Sequence, residues 1–118
     1  MKQRPFGDSG LTVSELGFGT WGLGGNAGGS VAYGPVDDAV SIAALHRALE
    51  LGINFFDTAD LYGMGHCERI LARAFPGRRD AVVLASKAGF LDPAGRQDYT
   101  PGHLERSPFP RRIMPRIQ

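Results

Sequence analysis

Gly52-Ile53-Asn54-Phe55-Phe56-Asp57-Thr58-Ala59-Asp60-Leu61-Tyr62-Gly63 decides the fold of this chain. Gly52 can end a helix, Ile53 to Phe56 form a short apolar run of strand type, and the chain then turns polar. A buried strand here delivers Asp57 at its carboxyl end, with Tyr62 on the loop that follows. Parallel α/β folds keep their chemistry on loops at that end. A second run of the same kind, Ala81-Val82-Val83-Leu84-Ala85-Ser86, leads into Lys87. Three ionisable groups are thereby predicted on one rim.

Together these groups suggest a proton-transfer device. Free tyrosine titrates near ~10, too high for an efficient acid at neutral pH, but a neighbouring ammonium favours the phenolate and lowers that value. Lys87 is placed to supply the ammonium. Asp57 can hold Lys87 charged and fixed through a charge-assisted hydrogen bond. Tyr62 is then the candidate general acid.

Working outward from this stretch, Asp37 or Asp38 can cap a helix running to Leu51. Val40, Ala44, Ala48 and Leu51 fall at helical spacing along it, and Gly52 is its stop signal. His46 lies inside this helix and needs no chemical role. Downstream, Gly65 to Phe75 reads as a second helix with Ile70, Leu71 and Ala74 on its apolar face and Pro76-Gly77 as its stop. Ala88 to Tyr99 reads as a loop. Thr100, as cap, and Pro101, at the first position, open a third helix. Upstream, Arg4-Pro5-Phe6 and Leu11-Thr12-Val13 flank the turn signal Gly7-Asp8-Ser9-Gly10, predicting a hairpin over residues 2–13. Ser14 to Thr20 reads as the next strand. It brings Thr20 and Trp21 to the mouth that Asp57 faces.

Gly17 to Gly22 matches G-x-G-x-x-G, and Gly22 to Ala27 matches the variant ending in alanine. A dinucleotide fingerprint must open a helix whose amino terminus receives the pyrophosphate, whereas here the chain runs into further glycines. Residues 22–35 are read instead as a mobile loop over the pocket. His66 and Cys67 are adjacent, and with Asp57 or Asp60 they invite a metal assignment. Neighbouring residues rarely chelate one ion from a helix, and no second cluster completes a site, so no metal is expected.

Gly17-Phe18-Gly19-Thr20-Trp21, Gly52 to Ala59, Leu61-Tyr62-Gly63 and Ala85-Ser86-Lys87-Ala88-Gly89 together resemble the amino-terminal part of an aldo-keto reductase. Order, spacing and strand-end placement agree from Met1 to about Ser107. The resemblance implies an α/β fold of the (β/α)8 TIM barrel type, here a partial barrel of about three βα units preceded by an N-terminal β-hairpin that plugs its bottom. It implies NADP(H) as cofactor and hydride transfer to a small-molecule carbonyl substrate, an aldehyde or ketone, with Tyr62 donating the proton. Asp57, Tyr62 and Lys87 match three of the family's four catalytic positions. The fourth, a histidine after the next strand, has no counterpart, because His103 precedes that strand. Thr20, Trp21 and Asp57 are implied neighbours of the nicotinamide, and Trp21 can wall the carbonyl pocket. The bland alternative for Trp21 is a packing role in the core.

Composition sets outer limits. A chain of 118 residues, 42% hydrophobic and 21% charged, falls in the ordinary globular range. A whole barrel needs roughly 250 residues. The formal charge of +1 gives no basic field for nucleic acid. Cys67 is the single cysteine, which excludes an internal disulfide and suits a reducing compartment. The start lacks the apolar core of a signal peptide and no stretch is long enough for a membrane span, so a cytoplasmic protein is expected.

Residues 1–107 are thus read as the barrel portion and residues 108–118 as a Pro/Arg-rich disordered tail. Pro108, Pro110 and Pro115 fall where the family continues a helix, and an interior proline costs a helix ~3 kcal/mol. A truncated or out-of-frame gene is one expectation, with weak NADP(H) binding and impaired activity. Three strands leave open edges through which the chain can self-associate. The alternative to an enzyme is therefore a non-catalytic truncated pseudoenzyme or interaction fragment.

Overall fold

Two small sheets frame the molecule, and the computed structural model describes residues 1–26, 29 and 32–106. Strands β1 (Gln3–Pro5) and β2 (Thr12–Ser14) pair antiparallel, with Arg4 opposite Val13. Gly7 and Gly10, at φ 55° and 75°, turn the chain between them in the left-handed region that glycine tolerates. Strands β3 (Phe18–Gly19), β4 (Phe55–Asp57) and β5 (Val83–Ala85) form a parallel sheet with β4 in the middle. In register, Gly19 lies beside Asp57 and Asp57 beside Ala85, so the carboxyl ends of all three strands open on one side.

The first of these parallel strands is far shorter than the expected Ser14–Thr20. Ser14 belongs to the hairpin, opposite Gln3. Its N–H donates to Asn54 Oδ1 at 2.7 Å and its hydroxyl to the Leu16 carbonyl at 2.7 Å, which bends the chain before Phe18. Further ties run from the hairpin to the residues that precede β4. Asn54 donates to the Thr12 carbonyl at 3.0 Å, Gln3 donates to the Gly52 carbonyl at 3.0 Å, and the rings of Phe6 and Phe55 lie 5.5 Å apart. The hairpin therefore sits at the amino-terminal end of the sheet, opposite the rim.

Helix α1 (Asp38–Glu50) begins where Asp37, in extended backbone, accepts hydrogen bonds from the Ala39 and Val40 amides. It ends at Gly52, whose φ of 87° lets its N–H and that of Ile53 return to the Leu49 and Ala48 carbonyls. The buried face differs from the expected one. Val40 and Leu51 are 68% and 52% exposed, whereas Ser41, Leu45 and Ala48 are buried. Two overlapping stripes pass through Ala48, and the large side chain of Leu45 decides between them, because burial stabilises in proportion to apolar area.

Helix α2 (His66–Ala74) buries Ile70, Leu71 and Ala74 as its spacing predicts. These residues meet Leu45, Ala48, Phe56, Phe75 and Val82 in one core, with the rings of Phe56 and Phe75 5.0 Å apart. The alternation along β4 does the sorting. Phe56 is fully buried among the helices, while Phe55 and Asp57 turn to the opposite face. Between β5 and helix α3 (Pro101–Arg106), the stretch read as a plain loop contains a bridge joining Phe90 to Gln97. The expected tail at 108–118 and part of the expected loop at 22–35 lie outside the described residues. A 3-10 turn over Trp21–Gly24 leads into that loop. Among the described residues no helix is long and apolar enough to cross a membrane.

Candidate active site

The rim is built from the residues that close the parallel strands. Lys87, two residues beyond β5, donates from Nζ to both carboxylate oxygens of Asp57 at 2.8 Å each and to the Thr58 carbonyl at 2.8 Å. An ammonium has three donors, so its orientation is fully specified. The same nitrogen stands 5.0 Å from the centre of the Tyr62 ring, within range of a cation–π attraction. Partial burial works against the charge of Lys87, but the Asp57 carboxylate, and then Tyr62, outweigh it and hold the ammonium above its ordinary range. The side chains of Lys87 and Asp57 are 50% and 44% exposed, so the pair is open to a ligand. Ion pairs this exposed contribute only about 0–1 kcal/mol, which leaves stability a poor reason for so specific a geometry.

Tyr62 stands in the turn between β4 and α2. Its N–H donates to the Ala59 carbonyl at 3.1 Å, and its own carbonyl accepts from the Cys67 amide at 3.2 Å. Its backbone also touches the 3-10 turn directly. A Cβ added at Gly24 would meet the Gly63 nitrogen at 2.9 Å, so only glycine permits this approach. Trp21 is 43% exposed, with its ring 6.4 Å from that of Tyr62 and 5.2 Å from that of Tyr33. It lines the rim and is not a core residue.

Thr20, expected on the rim as a cofactor neighbour, is fully buried beneath it. Its N–H and its hydroxyl both donate to the Asp57 carbonyl, at 2.9 and 3.0 Å. The side chain thus supports Asp57 and presents no surface to a ligand. The strand-end position is as expected, but a rim address says nothing about which way a side chain turns.

Two further polar residues, Asp60 and Glu68, have a burial that the sequence does not signal. Asp60 is 8% exposed and its Oδ2 accepts from the Gly89 and Phe90 amides at 2.7 and 3.1 Å. Glu68 is 4% exposed and accepts from the Ser86 hydroxyl at 3.1 Å. Burial pushes the Glu68 carboxyl up to about 7, against the opposing pull of the Ser86 hydrogen bond. An aspartate after a strand and a glutamate in a helix's first turn look like ordinary solvated charges, so composition gave no signal.

Among the described residues no group of three His, Cys, Asp or Glu side chains could hold an ion. His66 instead pairs with Asp38 at 2.9 Å, and Arg73 binds the other oxygen of that carboxylate at 2.5 Å. The thiol of Cys67 is buried against the Thr20 carbonyl at 3.0 Å, and burial pushes it up to about 11.

Comparison with known proteins places the chain in a family. The model of the aldo/keto reductase family matches residues 15–108. The chain is 38% identical over 89 residues to the aldo-keto reductase YhdN of Bacillus subtilis, an alignment that covers 74% of this chain and 25% of that protein. Among solved structures it is similar to the holo form of the aldo-keto reductase AKR11C1 of Bacillus halodurans, with a TM-score of 0.72 and 36% identity over 89% of this chain and 33% of the other. It is also similar to an aldo-keto reductase of Klebsiella pneumoniae solved in complex with NADPH, with a TM-score of 0.60 and 27% identity over 82% and 29% of the two chains. The chain belongs to the aldo/keto reductase family. It spans about a quarter of the length of the curated relatives it matches, and its parallel sheet is a portion of the family's (β/α)8 barrel.

Proposed function

We propose that this segment supplies the proton-handling groups for NADP(H)-dependent reduction of an aldehyde or ketone. The observation that carries the reading is the three-way contact of Lys87 with Asp57, Thr58 and the Tyr62 ring. The residues present suit the reacting end of a nicotinamide: Trp21 offers a partly exposed flat ring near that of Tyr62, and Asp57 and Lys87, the latter over the same Tyr62 ring, form a half-open polar pair. When bound, the reduced nicotinamide supplies a hydride to the carbonyl carbon.

Tyr62 provides the matching proton. As the carbonyl π pair withdraws to oxygen, that oxygen takes the proton from the Tyr62 hydroxyl and the alcohol is complete. Lys87 stabilises the phenolate left behind, and Asp57 keeps Lys87 charged and in place. The test follows NADPH absorbance with this chain and a panel of aldehydes. Turnover that collapses in Tyr62→Phe supports the reading, and turnover no greater than that of Tyr62→Phe rejects it for this chain.

A second reading rests on the sheet edges. Among the described residues β3 and β5 each pair with β4 alone, so their outer edges offer unpaired backbone groups. Self-association through those edges predicts a discrete dimer by size-exclusion chromatography, and a stable monomer at high concentration counts against it.

A further inference from the structure

Lys87 is carried on a segment gripped from behind. Glu68, in the first turn of α2, accepts from the hydroxyl of Ser86, the residue before Lys87. Asp60, in the turn after β4, donates its N–H to the Lys87 carbonyl at 2.9 Å and accepts with Oδ2 from the Gly89 and Phe90 amides. The two carboxyls, 4% and 8% exposed, thus contact the chain on both sides of the lysine.

Packing alone does not explain them. Acidic side chains are almost never this buried without a paired cation, and apolar residues of similar volume are often neutral or stabilising in such places. The hydrogen-bond partner of Glu68 is a neutral hydroxyl, and Asp60 Oδ1 is buried with no hydrogen-bond partner. An arrangement that costs stability and converges on one short segment calls for a role in that segment.

We infer that Asp60 and Glu68 are positioning residues for Lys87, a buried two-carboxyl brace that fixes Ser86–Phe90 so that the ammonium reaches Asp57 and Tyr62. Its catalytic consequence rests on the reductase reading, but the brace itself does not. Asp60 and Arg69 are the charged groups that bear on Glu68: Asp60 disfavours its ionised form and Arg69 favours it.

The test uses trace acylation of the full chain by an amine reagent, read by mass spectrometry. Lys2, exposed and the other lysine of the chain, serves as the internal reference. An ammonium held by Asp57 reacts slowly, because only the free amine attacks. Glu68→Ala and Ser86→Ala are expected to raise the Lys87:Lys2 labelling ratio severalfold, while Glu68→Gln, which keeps an acceptor for Ser86, leaves it near wild type. Should Glu68→Ala lose its melting transition, Ser86→Ala, which removes one partly buried hydroxyl, decides. A ratio unchanged in Ser86→Ala but raised in Asp57→Asn overturns the brace. Labelling needs no turnover, so a ratio that responds in a chain inactive toward every aldehyde supports the brace while rejecting the reductase reading.

Discussion

Thr20 holds Asp57 by the backbone, with two donors of one buried residue converging on a single carbonyl at 2.9 and 3.0 Å. The backbone that carries the carboxylate meeting Lys87 is therefore fixed from beneath by the residue after β3 as well as by its place in β4. Thr20→Val removes one of the two donors while nearly keeping shape. It should lower the unfolding free energy by about 0.5–1.5 kcal/mol, the usual net worth of one hydrogen bond, and Thr20→Ser should recover most of it. Urea unfolding of the three chains measures the difference.

Gly63→Ala should be among the most damaging small substitutions. Gly63 has φ 62°, and an added Cβ would lie 2.7 Å from the Gly24 carbonyl oxygen and 2.7 Å from His66 Cβ. Left-handed strain of about 1–2 kcal/mol and overpacking of about 1–3 kcal/mol then act together. Gly10, at φ 75° with nothing within 4 Å, carries only the first of these costs. Thermal melts should rank wild type above Gly10→Ala, and Gly10→Ala above Gly63→Ala. Equal melting points for the two variants would remove the close approach from the account.

What the sequence disclosed and what it hid follow one physical line. The gathering of Asp57, Tyr62 and Lys87 on one rim is legible because strand ends and turns are written in contiguous letters. The cap at Asp37 and the stop at Gly52 were legible for the same reason. The burial of Thr20, Asp60 and Glu68 was not, because it depends on which neighbour covers them. Glu68 is hidden by the β5–Lys87 segment, far along the chain, and no local pattern distinguishes it from the exposed Glu50. The buried face of α1 is hidden because its alanines make two stripes look alike. Ser14 joins the hairpin and not the parallel strand, and the decisive partner, Asn54, lies forty positions away.

Glu68 gives stability a pH dependence of its own. Its folded value near 7 lies above the ordinary 4.5, so the folded state binds this proton more tightly than the unfolded state. The contribution is fully present below 4.5 and is lost as pH rises through about 7. Wild type should therefore lose stability relative to Glu68→Gln across that window, and the difference between the two should level off above it. Urea midpoints at several pH values measure this, and parallel curves for the two chains would show that Glu68 titrates normally.

The central claim is that Asp57 fixes a charged Lys87 beside Tyr62, and the most direct test is the pH titration of the Lys87 ε-methylene carbon by NMR in wild type and in Asp57→Asn. Asp57 is the main group holding the ammonium above its ordinary range. The account predicts a Lys87 midpoint above that of a free lysine side chain in wild type and a clear fall in the variant. Identical midpoints in the two chains would contradict it.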